Sequence, residues 1–247
     1  MILPLLVLFL AVPVAASLAD PHPVDDDLQC SAPSEYLRFD AALPNAKASV
    51  GQHRRLDIVA LGSSTTQGAG SSGNGADYPS QLQDQLSQRL PGVEVNVWNR
   101  GIGGQTARQM LERIYSDAIE LGPSLVIWQT GVNDAISGVP IDELEDILRH
   151  GIQMLRAQGI DTILMDLQYY PGSARLPNYG DYVQAMQSVA REQAVPIFRR
   201  FDIMKYWMTS GRFEMGELLS RDGLHMVDRS YHCLAVELAE AIEADLR

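Results

Sequence analysis

Basic residues are scarce in this sequence, whose 247 positions hold 19 Lys and Arg against 31 Asp and Glu, a formal net charge of −12. Binding to a phosphate backbone or to anionic lipid needs clustered Lys and Arg. The composition therefore argues against nucleic acid as a partner. Hydrophobic residues make up 46% of the chain, which is enough for one sizeable core, so we expect a single domain with a short N-terminal extension.

Histidine and cysteine are also few, with five and two residues respectively. They do not have the spacing of metal ligands, so the sequence predicts no metal site. Four of the histidines have no carboxylate three residues before them in a Gly-containing turn, and we interpret them as structural: His22, His53, His150 and His232. Internal repeats and low-complexity tracts are absent as well, which excludes repeat architectures.

Charged side chains are missing from residues 1–19, and Ser17-Leu18-Ala19 supplies the small residues that a signal peptidase requires. We interpret this segment as a cleaved signal peptide, although no Lys or Arg precedes its apolar stretch. The alternative is a retained membrane anchor. Pro4 and Pro13 argue against it, because they interrupt a run barely as long as the ~20 residues that span a bilayer. We therefore expect an exported protein, periplasmic or extracellular, without stable membrane insertion after cleavage.

The rest of the chain divides into two parts, residues 20–52 and a domain at 53–247. We interpret residues 20–52 as an extended arm because they show no sustained hydrophobic period. In that domain, short apolar runs alternate with helical patterns, as parallel strands buried on both faces do. The runs are Leu56–Leu61, Val93–Trp98, Leu125–Trp128, Thr162–Leu167 and Val195–Phe198. The alternation predicts an α/β fold, a flavodoxin-like three-layer α/β/α sandwich with a five-stranded parallel sheet.

Two of the helical patterns are clearly amphipathic, one starting at Ile141 and one closing the chain. Their apolar stripes are Leu144, Ile147, Leu148, Ile152 and Leu155 in the first, and Tyr231, Leu234, Leu238 and Ile242 in the second. In open parallel sheets the ligand binds beyond the carboxyl ends of the strands. Functional residues are therefore expected in the loops that follow each apolar run.

The loop after the first run contains Gly62-Ser63-Ser64-Thr65-Thr66, which would place a hydroxyl at the open edge of the sheet. Such residues also cap helices or form polar turns, and that alternative remains open for this loop alone. After the second run comes Gly101-Ile102-Gly103-Gly104, where backbone N–H groups could approach a ligand closely or simply form a flexible turn. This glycine pattern does not match a dinucleotide-binding fingerprint.

The third run is followed by Gly131-Val132-Asn133-Asp134. The Asn133 amide could stabilise an oxyanion. Alternatively, Asn133 and Asp134 could cap the helix near Ile141. Close to the C-terminus, Asp222 stands three residues before His225 in a turn that contains Gly223. At this spacing a carboxylate can accept the imidazole Nδ1–H and fix the tautomer, while Nε2 faces a nucleophile.

In this chain order the four features resemble the SGNH, or GDSL-type, hydrolases, and the resemblance extends from about Asp57 to the end of the chain. The positions that match the family's blocks are Ser64, Gly104, Asn133, Asp222 and His225. One block departs from the pattern, because Gly62-Ser63-Ser64 stands where the family usually has Gly-Asp-Ser. Ser63 therefore competes for the role of nucleophile, and Ser64 is preferred because it holds the third position of the block.

The resemblance implies a serine esterase on carboxylic esters, with catalytic Ser64, Asp222 and His225. His225 would take the proton of Ser64, and Asp222 would orient the imidazole. The backbone N–H groups of Ser64 and Gly104, together with the Asn133 amide, would form the oxyanion hole. This chemistry requires no metal and no organic cofactor. Alternatives on the same fold are an acyltransferase, a lysophospholipase or thioesterase, and a non-catalytic secreted binding module.

The sequence favours a small-molecule or carbohydrate ester with a short acyl group as substrate, and we expect a monomer. The segment from Gly70 to Ala76 is small and polar, and nothing in it predicts a lipid tunnel. Tyr169 and Tyr170, after the fourth run, could stack on a sugar or could be half-buried packing residues.

The two cysteines, Cys30 and Cys233, are expected to form a disulfide, because an exported chain meets oxidants and the pair would pin the arm to the last helix. Two buried free thiols are the alternative.

Overall fold

A computed structural model describes residues 29–73 and 75–247, and a five-stranded sheet forms its centre. The strands are β1 (Arg55–Gly62), β2 (Glu94–Gly101), β3 (Leu125–Gln129), β4 (Asp161–Met165) and β5 (Ile197–Phe198). All neighbouring strands are parallel, in the order β2-β1-β3-β4-β5. The predicted fold is confirmed. The direction in which successive strands are added to the sheet reverses between β1 and β3.

Two strands are shorter than the apolar runs that predict them. The fourth run continues to Leu167, but both neighbours of β4 end opposite Met165, where Gln129 and Phe198 are its partners. The fifth run begins before Pro196, which has no N–H to donate to a ladder and so cannot extend β5 toward its start. Backbone pairing, limited by the neighbouring strands for β4 and by Pro196 for β5, thus sets the end of the strand rather than hydrophobicity.

Helices cover both faces of the sheet. They are α1 (Ser34–Leu37), α2 (Pro44–His53), α3 (Ser64–Gln67), α4 (Tyr78–Arg89), α5 (Ala107–Glu112), α6 (Ile114–Asp117), α7 (Val132–Ser137), α8 (Ile141–Arg156), α9 (Tyr179–Gln193), α10 (Arg200–Thr209), α11 (Met215–Leu218) and α12 (Asp228–Leu246). Right-handed crossovers place α4 on one face and α5, α8 and α9 on the other, because the chain moves to β2 in one direction and then to β3, β4 and β5 in the opposite one. α12 packs against α4, and α8 packs against α5 and α9.

The two amphipathic stripes are buried as predicted. All five predicted positions of α8 and all four of α12 lie in the core, together with the central strands. Each helix removes apolar surface from water by packing this stripe into the core.

The N-terminal arm differs from the prediction, because its described part contains α1 and α2 rather than an extended chain. The Asp161 carboxylate accepts hydrogen bonds from the backbone N–H of Asn45 at 2.8 Å and of Ala46 at 2.9 Å, at the N-terminus of α2. A carboxylate at this end of a helix is stabilising. Ala46 is the only buried residue of α2, so the helix has no apolar stripe by which the local sequence could predict it.

A disulfide joins Cys30 in the arm to Cys233 in α12, as predicted. The interpretation of residues 1–19 as a signal peptide falls outside the described part of the chain. None of the helices in residues 29–73 and 75–247 has the length and apolar character that crossing a bilayer requires.

Candidate active site

Ser64 lies at the carboxyl edge of the sheet, as the first residue of the one-turn helix α3 that directly follows β1. Its Oγ is 3.0 Å from Nε2 of His225. The turn is tight: a Cβ at Gly62 would lie 2.0 Å from Thr66 Oγ1, so no side chain fits at that position. The first N–H groups of a helix have no acceptor within it, so the Ser64 N–H makes no hydrogen bond inside α3.

The loop before α12 brings Asp222 to the other side of His225. Oδ2 of Asp222 is 2.6 Å from His225 Nδ1. Oδ1 accepts hydrogen bonds from the backbone N–H of Leu224 and of His225, both at 2.9 Å, and from the Ser220 hydroxyl at 2.7 Å. Burial raises the pKa of Asp222, but the hydrogen bonds from the His225 ring and from the other three donors outweigh it, and the pKa lies well below its ordinary value.

Ser63, the competing serine, points in a different direction. Its Oγ lies 3.2 Å and its backbone N lies 3.1 Å from Oε1 of Gln129, the last residue of β3. The same oxygen accepts a hydrogen bond from Thr66 Oγ1 at 3.0 Å. The structure therefore places Ser64, and not Ser63, against His225. Gln129 was not singled out from the sequence, although a polar residue at the end of a fully buried strand is a signal that it has a partner.

Gly104 and Asn133 lie in neighbouring loops at the same edge. Gly104 has φ of +79° and open space where a Cβ would stand, so its backbone is not covered by a side chain. The Asn133 amide donates one hydrogen bond to the backbone oxygen of Gln105, at 2.8 Å, which ties the two loops together. One N–H of the Asn133 amide remains beside this bond for another acceptor.

Asp134 does not cap α8, which was one alternative from the sequence. Its buried carboxylate instead accepts hydrogen bonds from the backbone N–H of Ala107, at 3.1 and 3.2 Å, at the start of α5. Burial raises the pKa of Asp134, and these hydrogen bonds act against the rise. The residue thus fixes α5, and with it the preceding glycine loop, to the helix that carries Asn133.

The small loop after α3 packs behind the imidazole. A Cβ at Gly70 would lie 2.3 Å from Met226 O and 3.1 Å from Cβ of His225, so only glycine allows this approach. Ser72 donates its backbone N–H to Asp228 Oδ1, at 2.7 Å, on the far side of His225. The segment that starts at Gly70 therefore supports the histidine.

The hypothesis that two tyrosines stack on a sugar is wrong for Tyr170, whose side chain is buried. Its ring packs edge-on against Tyr179, with centroids 5.9 Å apart, and Gly172 approaches one face. Tyr169 is partly buried and packs edge-on against Phe201 at 5.5 Å. Both residues match the packing alternative.

Of the remaining histidines, His22 is outside the described residues, and the other three lie away from Ser64. His53 and His150 are exposed on α2 and α8, and Nδ1 of His232 is 2.9 Å from Gln81 Oε1. Over residues 29–73 and 75–247 no group of three or more His, Cys, Asp or Glu side chains could hold a metal ion.

Comparison with known proteins gives a match to the family described as non-GDSL lipase-like, over residues 29–247. The esterase TesA of Pseudomonas aeruginosa is 30% identical to the chain over 132 residues, which are 53% of this chain and 57% of that protein. The chain thus spans little more than half the length of this relative.

Two solved structures are similar in fold. A two-domain esterase active on acetylated mannans has a TM-score of 0.72 at 20% sequence identity, over 85% of this chain and 56% of that one. An acetyl xylan esterase has a TM-score of 0.64 at 21% identity, over 75% of this chain and 98% of that one. Both are α/β structures, in agreement with the layered sheet described above.

Proposed function

The chain belongs to the non-GDSL lipase-like family, and we propose that it is a serine esterase that hydrolyses carboxylic esters through an acyl-enzyme on Ser64. The family's description fits the one departure noted in the sequence, where Gly62-Ser63-Ser64 replaces Gly-Asp-Ser. The observation that carries the proposal is the row of contacts from Ser64 Oγ through the His225 ring to Asp222, at 3.0 and 2.6 Å.

These contacts suit the activation of a serine hydroxyl, which is a weak nucleophile until a base removes its proton. His225 Nε2 takes the proton as Ser64 Oγ attacks the acyl carbon, and then gives it to the departing alcohol. Asp222 holds the imidazole in the required tautomer and stabilises its protonated form. Water, activated by the same imidazole, then cleaves the acyl-enzyme and restores Ser64.

The oxyanion of each tetrahedral intermediate needs donors that are in place before the reaction. We assign this role to the backbone N–H groups of Ser64 and Gly104 and to the Asn133 amide. Support comes from three features: the N-terminal position of Ser64 in α3, the uncovered backbone at Gly104, and the bond from Asn133 to Gln105, which leaves one amide hydrogen for the substrate.

The test compares two neighbouring serines. Ser64→Ala removes the nucleophile and is expected to abolish hydrolysis of a nitrophenyl ester. Ser63→Ala is the matched control and should keep most of the activity, because its hydroxyl bonds to Gln129 and not to His225. Both variants and the wild type are treated with a fluorophosphonate, and the adduct is located by peptide mass mapping. An adduct on Ser63, or undiminished hydrolysis by Ser64→Ala, would overturn the assignment.

For the substrate we propose a short acyl group, such as acetyl, on a carbohydrate or a similarly polar alcohol. Two fold neighbours are named for acetylated mannans and acetyl xylan, and the loop behind His225 consists of small residues.

A chain-length series of nitrophenyl esters, together with acetylated xylan and mannan, tests this proposal. Each methylene that a pocket accommodates is worth roughly 1–3 kcal/mol, so an acetyl pocket and a long acyl pocket give clearly different profiles. We expect the highest kcat/KM for acetyl or propionyl esters. An optimum beyond about eight carbons, or a preference for thioesters, would contradict the proposal, and transfer of the acyl group to an added sugar would identify an acyltransferase.

We also propose that the protein is exported. The apolar segment at residues 1–19 and the disulfide between Cys30 and Cys233 support this, because disulfides persist in oxidising compartments. N-terminal sequencing of the protein expressed with its full leader is expected to begin at Asp20. An intact N-terminus in the membrane fraction would point to a retained anchor.

A further inference from the structure

Gln168 connects the two halves of the site, although it hydrogen-bonds to neither Ser64 nor His225. It lies in the segment after β4, and its side chain is 1% exposed. Its Oε1 accepts a hydrogen bond from Thr65 Oγ1 at 3.1 Å, and its Nε2 donates to the backbone oxygen of Leu224 at 2.6 Å. Thr65 follows Ser64 and Leu224 precedes His225, so one amide bonds to the neighbours of both residues.

The loop that carries His225 is internally rigid, because Asp222 binds both its backbone and its imidazole. It can therefore shift relative to Ser64 only as a unit. The two residues are 161 positions apart in the chain, so their separation depends on contacts between elements. These contacts include the exposed bond between Ser72 and Asp228, the bond from the Tyr231 hydroxyl to the backbone oxygen of Ala69 at 2.7 Å, and the bond from the buried amide of Gln168 to Leu224.

Gln168 is itself held in place from a third direction. The hydroxyl of Tyr179 donates to the backbone oxygen of Gln168 at 2.7 Å, and both groups are buried. Because buried polar groups are costly to leave without partners, loss of the amide would leave the Thr65 hydroxyl and the Leu224 oxygen to find other partners by moving.

We propose that Gln168 is a positioning residue that sets the distance between Ser64 Oγ and His225 Nε2. The inference rests on the proposed function, since that distance matters only if His225 takes the proton of Ser64. Catalysis is sensitive to such placement, and a displacement of about 1 Å can cost roughly 100-fold in rate.

The first experiment is Gln168→Met, which keeps the length of the side chain and removes both hydrogen bonds. We expect kcat on a nitrophenyl ester to fall roughly 10- to 100-fold, with KM within about twofold of the wild type. The rate of fluorophosphonate labelling should fall by the same factor. The midpoint of the pH profile of kcat/KM should stay in place, because the contact between Asp222 and His225 is not altered.

A matched pair at Thr65 provides the second experiment. Thr65→Val removes the hydroxyl at nearly constant shape, whereas Thr65→Ser retains it. Thr65→Val should lower kcat and Thr65→Ser should restore most of it. The losses from Thr65→Val and Gln168→Met should not add in the double variant, because both changes remove the same hydrogen bond.

The outcomes separate this inference from the proposed function. A wild-type protein that neither hydrolyses esters nor reacts with the fluorophosphonate overturns both. An active wild type together with a folded Gln168→Met variant of unchanged kcat overturns the role of Gln168 alone. If Gln168→Met does not fold, equal kcat values for Thr65→Val and Thr65→Ser overturn it instead.

Discussion

Individual residues at this site form hydrogen bonds that hold more than one group or loop in place. Asn133 belongs to α7, yet its amide bonds to the loop that contains Gly104, which follows a different strand. Asp222 shapes the backbone of its own loop with one oxygen and orients His225 with the other. Single substitutions are therefore expected to act on kcat by displacing neighbouring groups as well as by removing one contact.

The oxyanion role proposed for Asn133 leads to the first prediction. Asn133→Ala removes one donor, and such a loss typically costs about 10²–10³ in kcat, roughly 3–4 kcal/mol, with little change in KM. Asn133→Asp is the matched variant, because it keeps the size of the side chain but has no N–H to donate when ionised. Steady-state kinetics with a nitrophenyl ester measures both. A change in KM alone would contradict the assignment of Asn133 to the oxyanion hole.

The sequence predicts Ser64, Gly104, Asn133, Asp222 and His225 because each follows or precedes a recognisable element and parallel strands bring their carboxyl ends to one edge. It does not predict the supporting residues. Gln129 bonds to Ser63 across 66 positions, and Gln168 bonds to Thr65 across 103. Such pairs have no local period or spacing, so they become visible only once the fold brings them together.

At the scale of elements, buried strands and amphipathic helices are predictable because hydrophobic period and burial coincide in them. α2 is the opposite case, since its N-terminus depends on the distant carboxylate of Asp161. α12 also contains a buried acidic residue that its apolar stripe does not predict. Its Glu237 is buried at 2% exposure and accepts a hydrogen bond from the backbone N–H of Ala32 in the arm, at 3.0 Å.

Burial raises the pKa of Glu237 to about 8, against the opposing effect of the hydrogen bond from Ala32. Between the ordinary pKa of a glutamate and this value, the folded protein holds a proton that the unfolded chain has lost. The free energy of unfolding should therefore fall as pH rises from about 5 to about 8. Asp166, whose pKa burial raises to about 7, contributes with the same sign.

The prediction for α12 is that Glu237→Gln weakens this pH dependence. Gln cannot ionise and can still accept the hydrogen bond from Ala32. Near pH 5 the variant and the wild type should have similar stability, and near pH 9 the variant should be the more stable one. Urea denaturation at a series of pH values measures the difference. Glu112→Gln, at an exposed position of α5, is the control, and equal slopes for wild type and Glu237→Gln would contradict the prediction.

On the scale of the whole molecule, residues 29–52 of the N-terminal arm are part of the folded domain and not an appendage. Besides the disulfide, Trp207 donates its indole N–H to the backbone oxygen of Cys30 at 2.7 Å, and Leu43 donates its N–H to Asp245 at 2.8 Å. The arm is thus fixed to α10 and to both ends of α12. The family match likewise begins at residue 29, ahead of the first strand.

The disulfide carries the last prediction, because it joins positions 203 residues apart and so restricts nearly the whole unfolded chain. In the chain-entropy model, closing a loop of this length stabilises the folded state by at most about 5 kcal/mol. The double variant Cys30→Ala with Cys233→Ala is expected to unfold at a clearly lower urea concentration than the wild type. A reductant should lower the midpoint of the wild type toward that of the variant and leave the variant unchanged. Thiol titration of the denatured, unreduced wild type should detect no free thiol. Two free thiols, or equal midpoints for the unreduced wild type and the double variant, would show that the cross-link does not hold the arm.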